Sequence, residues 1–459
     1  MTTKRFARAS AKAAPAVPSA VPAKELLHVT LVPSDLQGAS WYMFVLMMRN
    51  VASDGFRFSD PTNPQVFSRP GCVVAAPSFP ASTPGIDQDY VYNWTRDAAL
   101  TALEIAAAPF PTAGGPGAQA LIDYVTFAQT CQDNATPTMG HACFTIDGRS
   151  RPWSEQNDGP ALQTVAMLTA FDQLDAPTQA IARDVMAKNL DYLLGVYQEP
   201  TTNLWEEHLG QSFFARAAYL RCFQAIKANT VGIAIPDGVD CAIECLQGAL
   251  AEHWDGTIYR SILPQPDGGY DPNIDIICAS LYGAIPCTDT KLLATAAHLR
   301  SQWADDGSPM QYPINRADRA RGLGPLLGRY PGDTYDGDVA DSSLGQHPWA
   351  LCSCNLAELY YRVANEIANS QQVPLDSLSE PFFSQIGVDP NTTPADAVTA
   401  LRNAGDMILH AVIYHSDHLE LSEQFDGVTG FQKSVTNLTW SYAAFLSAVR
   451  ARSGQGMKG

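Results

Sequence analysis

The sequence predicts an all-α fold in which two rings of helices lie one inside the other. Beyond residue 90, helices of ordinary length recur, each followed by a Pro/Gly/Asp-rich loop. Helices that are apolar all round alternate with amphipathic ones, as expected if the first kind is enclosed by the second. No Pro/Gly/Ser linker or charge run divides the chain after residue 70, so its 459 residues read as one large domain over 24–452. Residues 1–23 read as a disordered Ala/Pro-rich tail and 453–459 as a second tail.

Hydrophobic periodicity places twelve helices, at 95–108, 118–131, 160–174, 178–194, 212–228, 238–254, 273–282, 291–303, 349–364, 381–386, 395–414 and 438–450. The stretch 178–194 is amphipathic. Ile181, Val185, Met186, Leu190 and Leu193 share one face, opposite Arg183, Asp184, Lys188 and Asp191. By contrast, 160–174 carries Leu162, Val165, Met167, Leu168, Phe171 and Leu174 around its whole girth and must be buried on most sides. Asp158 reads as its N-cap, with Gly159 and Pro160 in the first turn. Strand signals are sparse, the better ones being 28–36 and 72–76.

Composition excludes several classes. Hydrophobic residues make up 46% of the chain and charged ones 17%, which is globular rather than disordered. A net charge of −18, from 29 Lys+Arg against 47 Asp+Glu, repels nucleic acid and anionic membrane surfaces alike. No apolar run approaches the roughly 18–20 residues that span a bilayer, and 41–48 reads as a buried segment. The first 23 residues are basic but lack the apolar stretch of a secretory signal. The expectation is therefore a cytoplasmic monomer, with secretion by a route not visible in the sequence as the alternative. Ten cysteines form no CxxC pair, and their even number leaves disulfides open. Cys352 and Cys354 lie in a helical run, and His410, His415 and His418 share no one-face spacing, so the histidines read as solvated or capping side chains and no metal site is expected. Gly322 to Gly328 imitates a dinucleotide fingerprint without a βαβ unit around it, so no cofactor is expected either.

What remains is acidic and aromatic, and it falls between helices. Trp205-Glu206-Glu207 follows a turn, Glu423 follows Leu421-Ser422, Tyr90 to Asp97 opens a helix, and Arg329 to Tyr335 forms a fourth loop. Sugars stack their CH faces on Trp or Tyr, while Asp and Arg hold their hydroxyls. Cleaving a glycosidic bond needs two carboxyl groups, one protonated and one ionised. Adjacent Glu206 and Glu207, beside Trp205, are expected to press one carboxyl toward its protonated form by like-charge repulsion and desolvation.

Five segments in order resemble the catalytic domain of fungal-type glucoamylases, glycoside hydrolase family 15. They are DYVYNWTRDAAL from Asp89, QNDGPAL from Gln156, LWEEHLGQSFF from Leu204, GRYPGDTY from Gly328 with PWALC from Pro348, and the stretch that begins SEQFDGVTG at Ser422 and includes NLTWSYAA. The resemblance implies an (α/α)6 barrel with a pocket at one end. It also implies exo-acting, inverting hydrolysis of α-1,4-glucosidic bonds from non-reducing ends of maltooligosaccharides and soluble starch, releasing β-glucose. By the same resemblance Glu206 is the general acid and Glu423 the general base. Tyr90, Trp94, Arg96, Asp97 and Trp440 surround the glucose to be released. Trp153, Trp205, Glu207, Arg329 and Tyr335 complete the substrate contacts, and no cofactor is implied.

The chain also departs from the family pattern. Trp153 sits one residue closer to Asp158-Gly-Pro-Ala than usual, an insertion spans 337–345, and Gly332 replaces a usual Glu. No starch-binding module is expected after residue 450. The changes cluster toward the leaving group, so α-1,6-glucosidase, dextran-acting and trehalase activities stand as alternatives. A non-catalytic glucan-binding or regulatory domain is the remaining one.

Overall fold

Six helices close a ring. They are α2 (Thr95–Ala107), α4 (Asp158–Ala170), α6 (Phe213–Ala228), α8 (Asp275–Leu281), α11 (Ala350–Ser370) and α14 (Thr439–Arg452), each packed on the next, with α14 returning to α2. Their sequences show why they lie inside. All seven residues of α8 are buried, as are α2 from Thr95 to Ile105 and nearly all of α14. Around them stand α1 (Pro33–Met48), α3 (Pro116–Asp133), α5 (Ala176–Val196), α7 (Val239–Ala251), α9 (Thr290–Ala304) and α13 (Pro394–His415). Outer helices such as α5, α7 and α13 bury one stripe only. In α5 this is Thr178, Ala182, Val185, Met186, Asn189, Leu190 and Leu193, the i, i+3, i+4 recurrence of one helix face. Asp175 caps α5 by accepting from the Thr178 amide at 2.9 Å. The architecture is an (α/α)6 barrel. The computed structural model describes residues 33–77, 90–108, 116–308, 310–337 and 346–454.

Two helices correct the sequence expectation, and they compensate in number. The segment 381–386 forms only the short α12 (Glu380–Ser384) against α9, outside both rings. The twelfth barrel helix is instead α1, where a strand at 28–36 and a buried segment at 41–48 were expected. Residues 28–32 lie outside the described ones. Within α1, Leu36, Ala39, Met43 and Met47 are buried, whereas Trp41, Tyr42 and Val45 are 44%, 68% and 60% exposed. The helix is apolar on both faces, which hid its period. A further helix, α10 (Pro313–Ala320), has only eight residues, half of them polar, too short a run for a hydrophobic period to show. The stretch 72–76 is buried and extended, with Val73 bridged to Val51 and the Ala75 amide bonded to the Tyr92 carbonyl at 3.0 Å. The histidines are not all solvated. His410 is buried, and the His415 ring lies 2.8 Å from Asp318 Oδ2 and 2.9 Å from the Gly430 carbonyl.

Short antiparallel ladders precede three of the inner helices. β1 (Asn93–Trp94) pairs with β2 (Cys143–Phe144) before α2. β3 (Thr201–Thr202), β4 (Leu209–Ser212) and β5 (Ile262–Leu263) form a three-stranded sheet before α6. β6 (Gln424–Phe425) pairs with β7 (Gln432–Lys433) before α14. Three of the N-terminal ends of the inner ring, where backbone N–H groups and the positive dipole ends lie, thus carry short β-ladders.

Candidate active site

Glu206 stands in the loop that joins β3 to β4. Asn203, fully buried, organises this loop. Its side-chain oxygen accepts the amides of Glu207 and His208 at 2.9 and 3.0 Å, and its carbonyl accepts from Glu206 N at 3.0 Å and Gln156 Nε2 at 2.6 Å. The turn holds Glu206 at φ +64°, a left-handed conformation that costs a non-glycine residue energy and clusters at functional sites. Trp94, the N-cap residue of α2, donates its indole N–H to Glu206 Oε1 at 2.7 Å, and Trp153 donates to Oε2. One such bond on each oxygen leaves a lone pair on each for a proton.

Glu207 does not pair with its neighbour in space. Its carboxylate takes Arg329 Nη2 at 2.9 Å and the hydroxyls of Tyr330 and Tyr270 at 2.9 and 3.1 Å. The Glu207 charge is therefore paired with Arg329. Trp205 is buried, bonds Asn273 Oδ1 at 2.9 Å and stacks on Trp440 with ring centroids 6.1 Å apart.

Glu423 flanks the other hairpin. Since Gln424 faces Lys433 in the ladder, the next pair outward is Glu423 and Ser434, and the Ser434 hydroxyl donates to Glu423 Oε2. Tyr90 Oη donates to Oε1 at 3.2 Å and lies 2.8 Å from the Tyr335 hydroxyl. The Glu423 carbonyl accepts from Ala350 N at 3.1 Å, tying the carboxylate to the start of α11. Burial raises the Glu423 carboxyl above its ordinary range, while Ser434, Arg329, Tyr335 and Tyr90 pull it back. Gly337, at φ +70°, touches Ser434 so closely that a Cβ there would lie 2.2 Å from the serine Cβ. That contact requires glycine.

Arg96 and Asp97, in the first turn of α2, are both buried. Arg96 Nη1 bonds Gln156 Oε1 at 3.0 Å and Asp158 Oδ2 at 3.3 Å. Asp158 is thus not the N-cap read from the sequence. That position is Asn157, without a side-chain cap bond, because Asp158 is turned to the guanidinium. Arg96 Nε and Asp97 Oδ2 face each other as an ion pair at 3.6 Å, without a hydrogen bond among the described residues, and both residues line the cavity. Buried polar groups are normally hydrogen-bonded, and this pair keeps that capacity on the cavity side. Burial pushes the Asp97 carboxyl up to about 6 against the opposing pull of Arg96. Arg329 forms a two-pronged pair with Asp333 at 2.6 and 2.7 Å, and its guanidinium lies within 5.3 Å of the ring centroids of Trp205, Tyr330, Tyr335 and Trp349.

All twelve residues singled out in the sequence line one cavity of about 370 Å³. This is the size range of a small-ligand site. Trp94, Trp349 and Leu438, the N-cap residues of α2, α11 and α14, all open onto it. Of the insertion, Gly337 reaches the cavity, and 338–345 lie outside the described residues. Sequence reasoning missed Arg151, Trp349, Asn203, Asp333 and Ser434. Asp333 left a local signal, the four-residue spacing from Arg329, and Trp349 lies within the PWALC segment. The others depend on pairing across hairpins and loops.

Comparison with known proteins agrees with this geometry. Residues 46–450 match the family model "Glycosyl hydrolases family 15". The chain is 27% identical over 435 residues to a probable glucoamylase of Schizosaccharomyces pombe, covering 88% of each. It is 28% identical over 424 residues to glucoamylase 1 of Rhizopus oryzae, covering 84% of this chain and 68% of the relative. The solved glycoside hydrolase family 15 glucoamylase from Hypocrea jecorina superposes with a TM-score of 0.77 at 23% identity, over 92% of this chain and 73% of that one, a likeness that establishes the fold. With the family model matched across most of its length, the chain belongs to glycosyl hydrolase family 15.

Proposed function

We propose that the chain is a glucoamylase, an exo-acting hydrolase that removes β-glucose from the non-reducing ends of α-1,4-linked maltooligosaccharides and soluble starch with inversion. The observation that carries this reading is the pairing of Glu206 and Glu423 on one cavity, each carboxyl group held by its own set of donors. In this reading Glu206 protonates the glycosidic oxygen and Glu423 takes a proton from the attacking water. Arg96 and Asp97 hold hydroxyls of the sugar to be released. Trp440 closes that subsite beside Arg96, while Glu207 and Arg329 hold the sugar on the leaving side, against the wall formed by Trp205 and Tyr335.

The test is Glu206→Gln on maltotriose. Gln keeps the shape and loses the proton, so kcat falls by about 10²- to 10⁴-fold with KM little changed. Activity within about two-fold of wild type would remove Glu206 from the role. Trp153, 58% exposed at the rim and shifted by one residue from the family pattern, is the feature that favours an altered linkage preference. Initial rates on maltose, isomaltose and trehalose decide between the linkages. Ten free thiols accord with a reducing compartment, so we place the protein in the cytoplasm, a reading that cell fractionation tests.

A further inference from the structure

Trp153 occupies an unusual position for a residue that holds a reacting carboxyl group. Its indole N–H donates to Glu206 Oε2, yet its ring is 58% exposed on a loop. An aromatic side chain so exposed keeps its rotamer freedom unless something fixes the ring, and a donor that swings away holds nothing. The contact on its face comes from Arg151, whose guanidinium carbon lies 4.5 Å from the Trp153 ring centroid, 3.7 Å from that of Tyr92 and 5.9 Å from that of Trp94.

Backbone pairing explains how one arginine reaches all three rings. Trp94 faces Cys143 in the β1–β2 ladder, and the Arg151 amide donates to the Cys143 carbonyl at 3.2 Å from the other side. Arg151 and Trp94 therefore flank the same residue. Beyond Pro152, the Trp153 amide closes a tight turn onto the Arg151 carbonyl at 2.9 Å, and the Ser154 carbonyl accepts from Ala142 N at 2.9 Å. The loop that carries Trp153 is pinned at both ends, with the guanidinium set against the ring between them. Arg151 also lines the cavity, and its Nη1 is buried without a hydrogen-bond partner among the described residues. The side chain also reaches the Cys143 thiol, which holds the guanidinium over the three rings. Guanidinium stacking on aromatic faces is a geometry that lysine does not reproduce.

We propose that Arg151 is a positioning residue for the proton donor, acting through Trp153. This rests on the glucoamylase reading, in which Glu206 is the acid. Arg151→Met keeps a flexible chain of similar length and removes the cation. It should lower kcat on maltotriose roughly ten-fold, the scale of one cation–π contact, and leave KM within about two-fold. Arg151→Lys should recover part of the loss. In a Trp153→Phe background, which lacks the indole N–H, Arg151→Met should cost less than about two-fold, because its route to Glu206 is already cut.

Full additivity of Arg151→Met and Trp153→Phe would overturn the proposal, as would an Arg151→Met enzyme within about two-fold of wild type. A purely structural role would lower the melting temperature without this coupling. If Arg151→Met fails to fold, Arg151→Lys measured in both backgrounds decides by the same comparison. Failure of the parent reading looks different, since wild type itself would then release no glucose from maltotriose.

Discussion

Ser434, held in the left-handed region at φ +64°, donates its hydroxyl to the buried carboxylate of Glu423 across the end of the β6–β7 ladder. Burial raises this carboxyl group, and the serine is the first of the groups that lower it again. A general base must be ionised, so its titration sets the acid limb of the pH profile. Ser434→Ala should shift that limb to higher pH by about one unit or more, given that a hydrogen bond to a charged group contributes about 1.5–3 kcal/mol. The kcat/KM profile from pH 3 to 7 reads this directly. An unmoved limb would mean that Ser434 does not act on the base.

Trp94 offers a parallel test at the acid. Its N–H bond to Glu206 Oε1 is 2.7 Å long and its ring stacks on Tyr90 at 5.7 Å. Trp94→Phe keeps most of the stacking surface and removes the donor. The expected loss is about 10- to 100-fold in kcat on maltotriose, from the size of a charge-assisted hydrogen bond. A change confined to KM would assign Trp94 to substrate binding alone.

Much of this arrangement is legible in the sequence, and the boundary of legibility has a physical cause. The amphipathic stripe of α5 and the all-round apolar surface of α4 reveal outer and inner positions, because burial enforces periodicity. The site loops stand out through aromatic and acidic residues that a solvated loop does not need. What the sequence hides is pairing. Nothing local announces that Ser434 faces Glu423, or that Arg151 and Trp94 flank Cys143, because cross-strand register depends on residues far apart in the chain. Asp158 was misread for the same reason. A carboxylate before Gly159-Pro160 resembles a helix cap until Arg96, 62 positions away, is brought within 3.3 Å. Helix α1 was missed because both of its faces are apolar.

Three buried aspartates give stability a definite pH dependence. Burial pushes Asp275 up to about 8, and Asp271 and Asp97 up to about 6, from an ordinary value of 3.8. Between about pH 4 and pH 8 the folded state therefore holds protons that the unfolded chain has released. Stability falls as pH rises through that window. The net charge of −18 acts in the same direction, since self-repulsion grows as carboxyl groups ionise. The melting temperature should be higher at pH 5 than at pH 8, and Asp275→Asn should reduce the difference. A melting temperature that rises toward pH 8 would contradict this.

Arg329 carries structure as well as any ligand contact. It is 3% exposed, and it pairs with Asp333 through two bonds and with Glu207 through a third. Removing one partner of a buried pair strands the other charge, at a cost of about 3–5 kcal/mol. Arg329→Met should show a loss of that order in denaturant unfolding. Arg329→Lys should remain well below wild type, because a lysine cannot make the two-pronged bond to Asp333. Wild-type stability in the methionine variant would show that Asp333 and Glu207 find other partners.

The central claim is that Glu206 and Glu423 act together as an inverting acid–base pair. The most direct test is the anomer of the glucose first released from maltotriose, read by proton NMR before mutarotation. The account predicts β-glucose from an α-1,4 bond, because water activated by Glu423 attacks from the face opposite the leaving group. Release of α-glucose would mean that configuration is retained through a covalent intermediate, and the assignment of Glu423 as a water-activating base would be wrong.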